Sequence, residues 1–265
     1  DSKGAGLALS SNSVSKVHVL LSSMFQFAVD IGYIELNPTK NRLVRPPSRS
    51  SIRAERREVN LLSPSELSLL SQWLSDNDPD LFPLWRIIMF TGMRRSEAIA
   101  LRRNDLDLGS GVVYVRRAAD PAKSKAVKPT KTGNSRSVLL DSGTLETLED
   151  YLANTPRLNH AKDGIIFPNS SGELRTPNDI SAKWARLIKK AQSELETLPR
   201  VTLKDLRHTH ATLLLQSREH IKVVQERLGH SDIRTTLDTY SHVNSSIQEE
   251  AVGRFENWIS DQSHS

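Results

Sequence analysis

The chain has 265 residues, a formal charge of +5 and no cysteine, so it can bury one sizeable core or two modest ones. The missing thiols exclude thiol catalysis, disulfides and cysteine-held zinc and fit a reducing interior; no apolar run approaches the roughly 20 residues that span a bilayer. A mild basic excess, with an isoelectric point near 9.5, fits a nucleic-acid partner and equally fits an ordinary basic protein.

Residues 1–12 are small and polar, and poor order is expected there. They carry no secretory signal, which points to the cytoplasm, and Asp1 in place of Met is what a piece trimmed from something longer would show. Ser13 reads as the cap of a helix whose Val14, Val17, Leu21, Met24, Ala28 and Ile31 recur at three- and four-residue spacing, with Gly32 at its end. One amphipathic helix cannot bury its own apolar face, so it needs the rest of the chain or companion helices upstream. Asn37-Pro38 makes a turn.

Lys40, Arg42, Arg45, Arg49, Arg53, Arg56 and Arg57 follow, against the single acid Glu55 and beside Pro46-Pro47. This composition predicts an extended cationic linker, either a solvated tether or a strap along a phosphate backbone.

A second unit opens at Ser63-Pro64-Ser65-Glu66, a capping box with proline at the first helical position. Leu67, Leu70, Trp73 and Leu74 give that helix its buried face. Pro83–Phe90 reads as the next helix, Thr91-Gly92 as its end, and Arg94–Leu101 as another. Alternation over residues 112–116 predicts a strand, as does Ser137–Leu140, with a long polar loop from Lys123 to Arg136 between them. Gly164–Leu174 reads as a short hairpin around Asn169-Ser170-Ser171-Gly172. Helices follow around Ile180–Ala191, from Thr202, and over Ile221–Leu228 and Ile233–Tyr240. The predicted fold is mainly α with a small antiparallel β-sheet, an α+β architecture.

Several side chains in this unit could carry chemistry. Lys204 and Arg207 share a face in the first turn of their helix, where free N–H groups and the macrodipole favour an anion; a plain surface pair would look the same. Arg94 and Arg95 follow a helix break, and a guanidinium fork can hold two phosphate oxygens. Glu97, one turn on from Arg94, could orient it. Lys131 lies on a turn from which it could protonate a departing oxygen, although Lys123, Lys125 and Lys128 lie nearby and spacing does not choose among them. His230 follows Leu228-Gly229 and could take a proton or bond a phosphate, or could be a buried structural histidine. His208, His210, His230 and His242 lack carboxylate or cysteine partners at metal-ligand spacing, so no metal is expected. Tyr240 is a phenol that attacks poorly unless cations or a base assist.

The order of Thr91-Gly92-Met93-Arg94-Arg95-Ser96-Glu97, Thr130-Lys131-Thr132, Asp205-Leu206-Arg207-His208-Thr209-His210 and Leu228-Gly229-His230 through Tyr240-Ser241-His242-Val243 resembles the tyrosine recombinase (phage integrase) family. Each motif alone is weak; together, across about residues 62–243, they are specific. Motif register favours Arg94 over Arg95. The segment Ser13–Pro38, ending in Gly32-Tyr33-Ile34-Glu35-Leu36-Asn37-Pro38, is similar to the last part of that family's core-binding domain, whose beginning would be absent, as would an arm-binding domain.

The resemblance implies a catalytic domain over residues 62–243, preceded by a partial DNA-binding domain over 1–43 and a linker over 44–61, and followed by a tail over 244–265. In that tail Ile247, Ala251, Phe255, Trp258 and Ile259 would form a helix, docked on a neighbouring protomer or on its own subunit. It implies that Tyr240 attacks a scissile phosphate to give a 3′-phosphotyrosine, that Arg94 and Arg207 clamp its oxygens, that Lys131 protonates the leaving 5′ oxygen, and that His230 assists while Glu97 supports Arg94. It further implies double-stranded DNA attachment or crossover sites as substrate, a homo-tetramer, a Holliday junction and accessory DNA-bending or directionality proteins, with no cofactor, metal or ATP. One departure stands out. Lys204 occupies the first position of the family's His-x-x-Arg box, and a charged lysine cannot accept a proton; Lys204 is therefore expected to bind phosphate, with any general-base role passing to His230. Lysine is a tolerated variant there. A type IB-like topoisomerase and a catalytically idle DNA-binding protein are the competing readings.

Overall fold

The structure is a computed structural model that describes residues 9–55, 59–120, 126–129, 135–155, 158, 161–240 and 259, with the backbone alone for 238–240. The chain divides into two compact units, Asp1–Glu58 and Val59–Ser265.

In the first unit, helix α1 runs from Ser11 to Asp30. Its cap is Ser10, whose hydroxyl accepts the Ser13 N–H, so Ser13 lies inside the helix it was expected to open. Gly32, at φ +75°, turns the chain out, and the Tyr33 N–H closes on the Ala28 carbonyl at 2.8 Å. No residue of α1 is buried. Asn37 fixes the following turn by donating to the Ser22 carbonyl at 2.9 Å and accepting from the Thr39 N–H.

The basic segment departs from the extended linker predicted for it. Arg49–Ala54 form a helix, α2, because the Ser48 hydroxyl accepts the Ser51 N–H at 3.1 Å; the serines that read as linker composition supply a cap. Glu55 at its end accepts the Ser11 N–H at 2.6 Å, tying α2 to the start of α1. Lys40 donates to Gln26 of α1 at 2.7 Å, Arg42, Arg45, Arg49 and Arg53 are exposed, and Arg56 and Arg57 lie outside the described residues.

The second unit begins with α3 (Pro64–Asn77), opened by the Ser63/Glu66 capping box, and α4 (Phe82–Thr91). Leu84, Trp85, Ile87 and Ile88 of α4 are fully buried. Trp85 is fixed at both faces of this core, since its Nε1 donates to buried Asp78 at 2.8 Å and its ring lies 5.3 Å from that of Trp184. The next helix, α5 (Arg95–Ala98), is a single turn that stops short of the predicted Leu101. The chain then turns so that the Leu101 carbonyl accepts the Ile166 N–H at 3.0 Å and Arg102 bridges Ile165.

Five strands follow: β1 (Leu106–Asp107), β2 (Val112–Val115), β3 (Arg117–Ala119), β4 (Val127–Pro129) and β5 (Arg136–Leu139). They make an antiparallel sheet in the order β1-β2-β5, with Val113 paired to Val138 and both side chains in the core, and a separate antiparallel pair β3-β4. β4 occupies part of what read as one polar loop and β3 precedes that loop, and neither was expected because three residues carry no apolar alternation long enough to register.

Helix α6 (Ser142–Asn154) and α7 (Pro177–Glu194) flank residues 164–174. The predicted hairpin there is a tight turn without assigned strands: the Asn169 N–H donates to the Glu173 carbonyl at 2.8 Å, while Asn169 Oδ1 accepts the N–H groups of Ser171 and Glu173. Helices α8 (Leu203–Gln216), α9 (Ile221–Leu228) and α10 (Ile233–Tyr240) complete the described unit. Helix α4 packs against α3, α6 and α8, and α8 against α9 and α10. Ile247, Ala251, Phe255 and Trp258 lie outside the described residues; Ile259 is helical and exposed. No helix among the described residues is long and apolar enough to cross a membrane.

Candidate active site

Gly92 is the hinge of the site. It caps α4 at φ +65°, and a Cβ there would lie 2.7 Å from Leu228 Cδ2 and 2.8 Å from His210 Cδ2, so glycine is needed both for the turn and for the approach of α8 and α9. Its carbonyl accepts Arg207 Nη1 at 2.7 Å.

Arg207 stands on α8, whose start is fixed by the Thr202/Asp205 capping box. Only 8% of the residue is exposed. Its Nη2 donates to the Leu228 carbonyl at 2.6 Å. Both acceptors are carbonyls at helix C-terminal ends, the negative ends of α4 and α9, and among the described residues Arg207 forms no ion pair. Burial above all, then the charge of Arg94, draws its pKa down to about 9, with Glu97 opposing; it remains a cation near neutral pH.

Arg94 occupies the N-cap of α5 and is half exposed, its backbone N–H and Nη1 bound to Glu97 at 3.0 and 2.7 Å. Arg95, its rival by sequence, turns away to Ser181 of α7. Glu97 is buried and saturated. Arg136 of β5 meets it as a fork, Nη2 to Oε2 at 2.7 Å and Nη1 to Oε1 at 3.2 Å. Burial would raise this carboxyl, but the hydrogen bonds and charge of Arg136, then of Arg94, override it and hold the group at about 2. Two guanidinium groups bond this carboxylate and the charge of Arg207 is coupled to it, leaving a local excess of positive charge.

His230 follows Gly229, the left-handed cap of α9 at φ +67°. Its Nδ1 lies 2.9 Å from the hydroxyl of fully buried Thr236 on α10. Burial first, then Arg207 and Arg94, lowers its pKa to about 4, so the free protein holds the imidazole neutral. Lys204 is exposed in the first turn of α8, and its charge, after burial, lowers the pKa of His208.

Arg94, Glu97, Arg207 and His230 therefore meet in one place. Tyr240 closes α10, four residues after the Thr236 that holds His230, and its side chain lies outside the described residues, as does the whole of Lys131. Among the described residues no group of three His, Asp or Glu could hold a metal ion.

Two features were missed from sequence. Arg136, quoted there only as the end of a loop, is a central cation of the site. His210 is a staple: buried and pushed down to about 3 by burial and by Arg227, it accepts from Arg227 Nε at 3.1 Å while Arg227 also donates to the Phe90 and Leu139 carbonyls. The small residues Gly92 and Gly229 were the available signal, since each marks a place where another side chain must pass close.

Residues 60–246 match the phage integrase family. The chain is 30% identical over 260 residues to the ICEBs1 integrase of Bacillus subtilis (strain 168), covering 95% of this chain and 67% of that one. It is 25% identical over 254 residues to the tyrosine recombinase XerC-like protein of Caldanaerobacter subterraneus subsp. tengcongensis, covering 88% and 63%. The chain thus spans about two thirds of the length of these relatives. Among solved structures, the Tn1549 transposon integrase in complex with a circular intermediate DNA matches with a TM-score of 0.78 at 21% identity, covering 94% of this chain and 80% of that one. The XerH site-specific recombinase bound to a palindromic difH substrate matches with a TM-score of 0.61 at 22% identity, covering 94% and 73%. These likenesses fix the fold.

Proposed function

Since the chain belongs to the phage integrase family, we propose that it is a site-specific DNA recombinase, cleaving and rejoining strands through a tyrosine for the integration or excision of a mobile element. The observation that carries this reading is Arg207, a buried guanidinium anchored by two helix-end carbonyls beside the Arg94–Glu97–Arg136 group. A cation so held, with no carboxylate partner among the described residues, leaves its remaining donors for a phosphate.

In the reaction, the Tyr240 phenol oxygen attacks phosphorus and the bond to the 5′ oxygen breaks, giving a 3′-phosphotyrosine. Arg94 and Arg207 hold the non-bridging oxygens, Lys204 adds a phosphate contact at the start of α8, and Lys131 protonates the leaving oxygen. His230, neutral near pH 7, is available to the phosphate or to the phenol's proton. The 5′-hydroxyl of a partner strand then attacks the phosphotyrosine, so no cofactor or metal is required.

Double-stranded DNA is the substrate, which agrees with solved structures of the same fold that contain DNA. The exposed Arg42, Arg45, Arg49 and Arg53 suit a phosphate backbone. The catalytic domain spans about residues 62–243, with a partial DNA-binding domain over 1–43, a basic connection over 44–61 and a tail over 244–265. A homo-tetramer, a Holliday junction, accessory DNA-bending proteins and a bacterial cytoplasmic setting complete the proposal.

A nicked suicide duplex tests it. The protein should become covalently attached, and Tyr240→Phe should not; attachment by the Phe variant would defeat the assignment. Exchange between two labelled duplexes, as opposed to resealing of one strand, separates a recombinase from a topoisomerase.

A further inference from the structure

We propose that Arg136 is a positioning residue of the cleavage reaction, clamping the Arg94–Glu97 pair to the Gly229–His230 turn. The inference rests on the strand-cleavage reading above and assigns a role to a residue which that chemistry does not use.

The geometry is specific. One guanidinium uses donors in two directions: Nη1 and Nη2 face Glu97 on α5, and Nε faces the Arg227 carbonyl near the end of α9 at 2.9 Å. Its aliphatic part lies against Gly229, where a Cβ would be 2.9 Å from Cδ and from Nη1. Helix α5, the C-terminal end of α9 and strand β5 are therefore joined through a single side chain. Glu97 distributes the constraint, because Oε1 accepts from Arg94 Nη1 and Oε2 from the Arg94 N–H while both oxygens also face Arg136. Successive carbonyls of α9, those of Arg227 and Leu228, are taken by Arg136 and Arg207 respectively. The backbone leading into His230 is held by Arg136 and Arg207, and of these Arg136 is the one that also bonds Glu97.

Arg136 is itself poorly placed to touch a phosphate, since 11% of its side chain is exposed and each of its three nitrogens is engaged. Arg94, 47% exposed on its side chain, is the cation that faces outward. Arg136 acts on the reaction through what it orients. A lysine cannot replace it, because one ammonium cannot present a flat fork to a carboxylate and a third donor to a carbonyl.

The test uses the full chain, a nicked suicide duplex and the variants R136Q and R136K. The single-turnover cleavage rate should fall about 100-fold in R136Q, the scale of a lost oriented donor, while DNA affinity by gel shift changes by less than about threefold. R136K should recover little of the rate. The pH profile supplies a readout that loss of packing would not move. The charges facing Glu97 are Arg94 on its own helix, Arg136 from β5 and Arg207 from α8; Arg117 of β3 pairs instead with Asp105, and α7 presents Ser181 to Arg95. Removing Arg136 deprives a buried carboxylate of its chief partner, so the acid limb of the cleavage profile should lie at higher pH in R136Q than in the wild-type protein. In an E97Q background, the effect of R136Q should shrink, as expected of residues acting in series.

If the wild-type protein forms no covalent product, the cleavage reading itself fails. If it does, and R136Q cleaves at the wild-type rate with the wild-type pH profile, Arg136 has no positioning role. Should R136Q not fold, R136K carries the comparison: a folded R136K within about twofold of wild type overturns the inference.

Discussion

Arg207 Nη2 lies 2.6 Å from the carbonyl oxygen of Leu228, two residues before His230. A buried cation is thus met by the end of a helix, and α9 cannot shift without moving both the arginine's anchor and the histidine. Arg207→Lys keeps the charge but cannot reach the Gly92 and Leu228 carbonyls while also forking onto a phosphate. The cleavage rate on a suicide duplex should fall at least about 100-fold, with DNA binding by gel shift little changed. A rate within about threefold of wild type would show that the guanidinium geometry is not needed.

Gly92 should be intolerant of a methyl group. Gly92→Ala places a Cβ in left-handed backbone and within 2.8 Å of Leu228 and His210, which should cost about 2–4 kcal/mol from strain and overpacking together. Gly164→Ala is the control, also at positive φ but with its nearest neighbour 4.0 Å away, and should cost only about 1 kcal/mol. Urea unfolding of the two variants measures the difference, and equal losses would mean that crowding at Gly92 is relieved.

Stability should fall as pH drops below 6.5. His210 titrates at about 3 in the folded chain against 6.5 when exposed, so between those values the unfolded chain binds a proton that the folded one does not. The contribution is absent at pH 7 and reaches a slope of about 1.4 kcal/mol per pH unit inside the window. His230 and His208 act in the same direction. Glu97, held at about 2 against 4.5, adds a second loss as pH falls through that lower range. Urea midpoints at pH 7 and pH 5 test this, and His210→Gln, which keeps polar atoms at the position, should flatten the slope. An unchanged slope would place the proton uptake elsewhere.

Lys204 is exposed where α8 presents its free N–H groups. Lys204→Ala should slow cleavage by about tenfold, as expected for one charge-assisted contact. It should also reduce the steepness of the salt dependence of DNA binding by about one phosphate's share. If both measurements match wild type, Lys204 does not touch the phosphate.

What could be read from sequence was largely local. The Ser63/Glu66 and Thr202/Asp205 caps lie within one turn of the helices they open, α9 ends where Gly229 places it, and α10 starts where the apolar spacing does. The helix α1 was misjudged by a few residues because Ser10, Ser11 and Ser13 are chemically equivalent candidates and only backbone geometry chooses. α2 was missed because six residues carry too little periodicity to stand out against arginine and serine. At the site, Arg94, Arg207 and His230 could be picked out by motif order, which also favoured Arg94 over Arg95, whereas the contact that turns Arg95 away, Ser181, lies 86 residues from it. Arg136 escaped notice for the same reason: its partners Glu97 and Arg227 are 39 and 91 residues away, and nothing in its own neighbourhood marks it.

The pair of carbonyls on Arg207 also bears on safety. One comes from a residue 115 positions away in the chain and the other from 21 positions away, so this anchored guanidinium exists only once distant parts of the second unit have docked. On the proposed assignment, a nascent or partly denatured molecule would carry Tyr240 yet lack the docked Arg207, and should therefore leave DNA uncut until folding is complete.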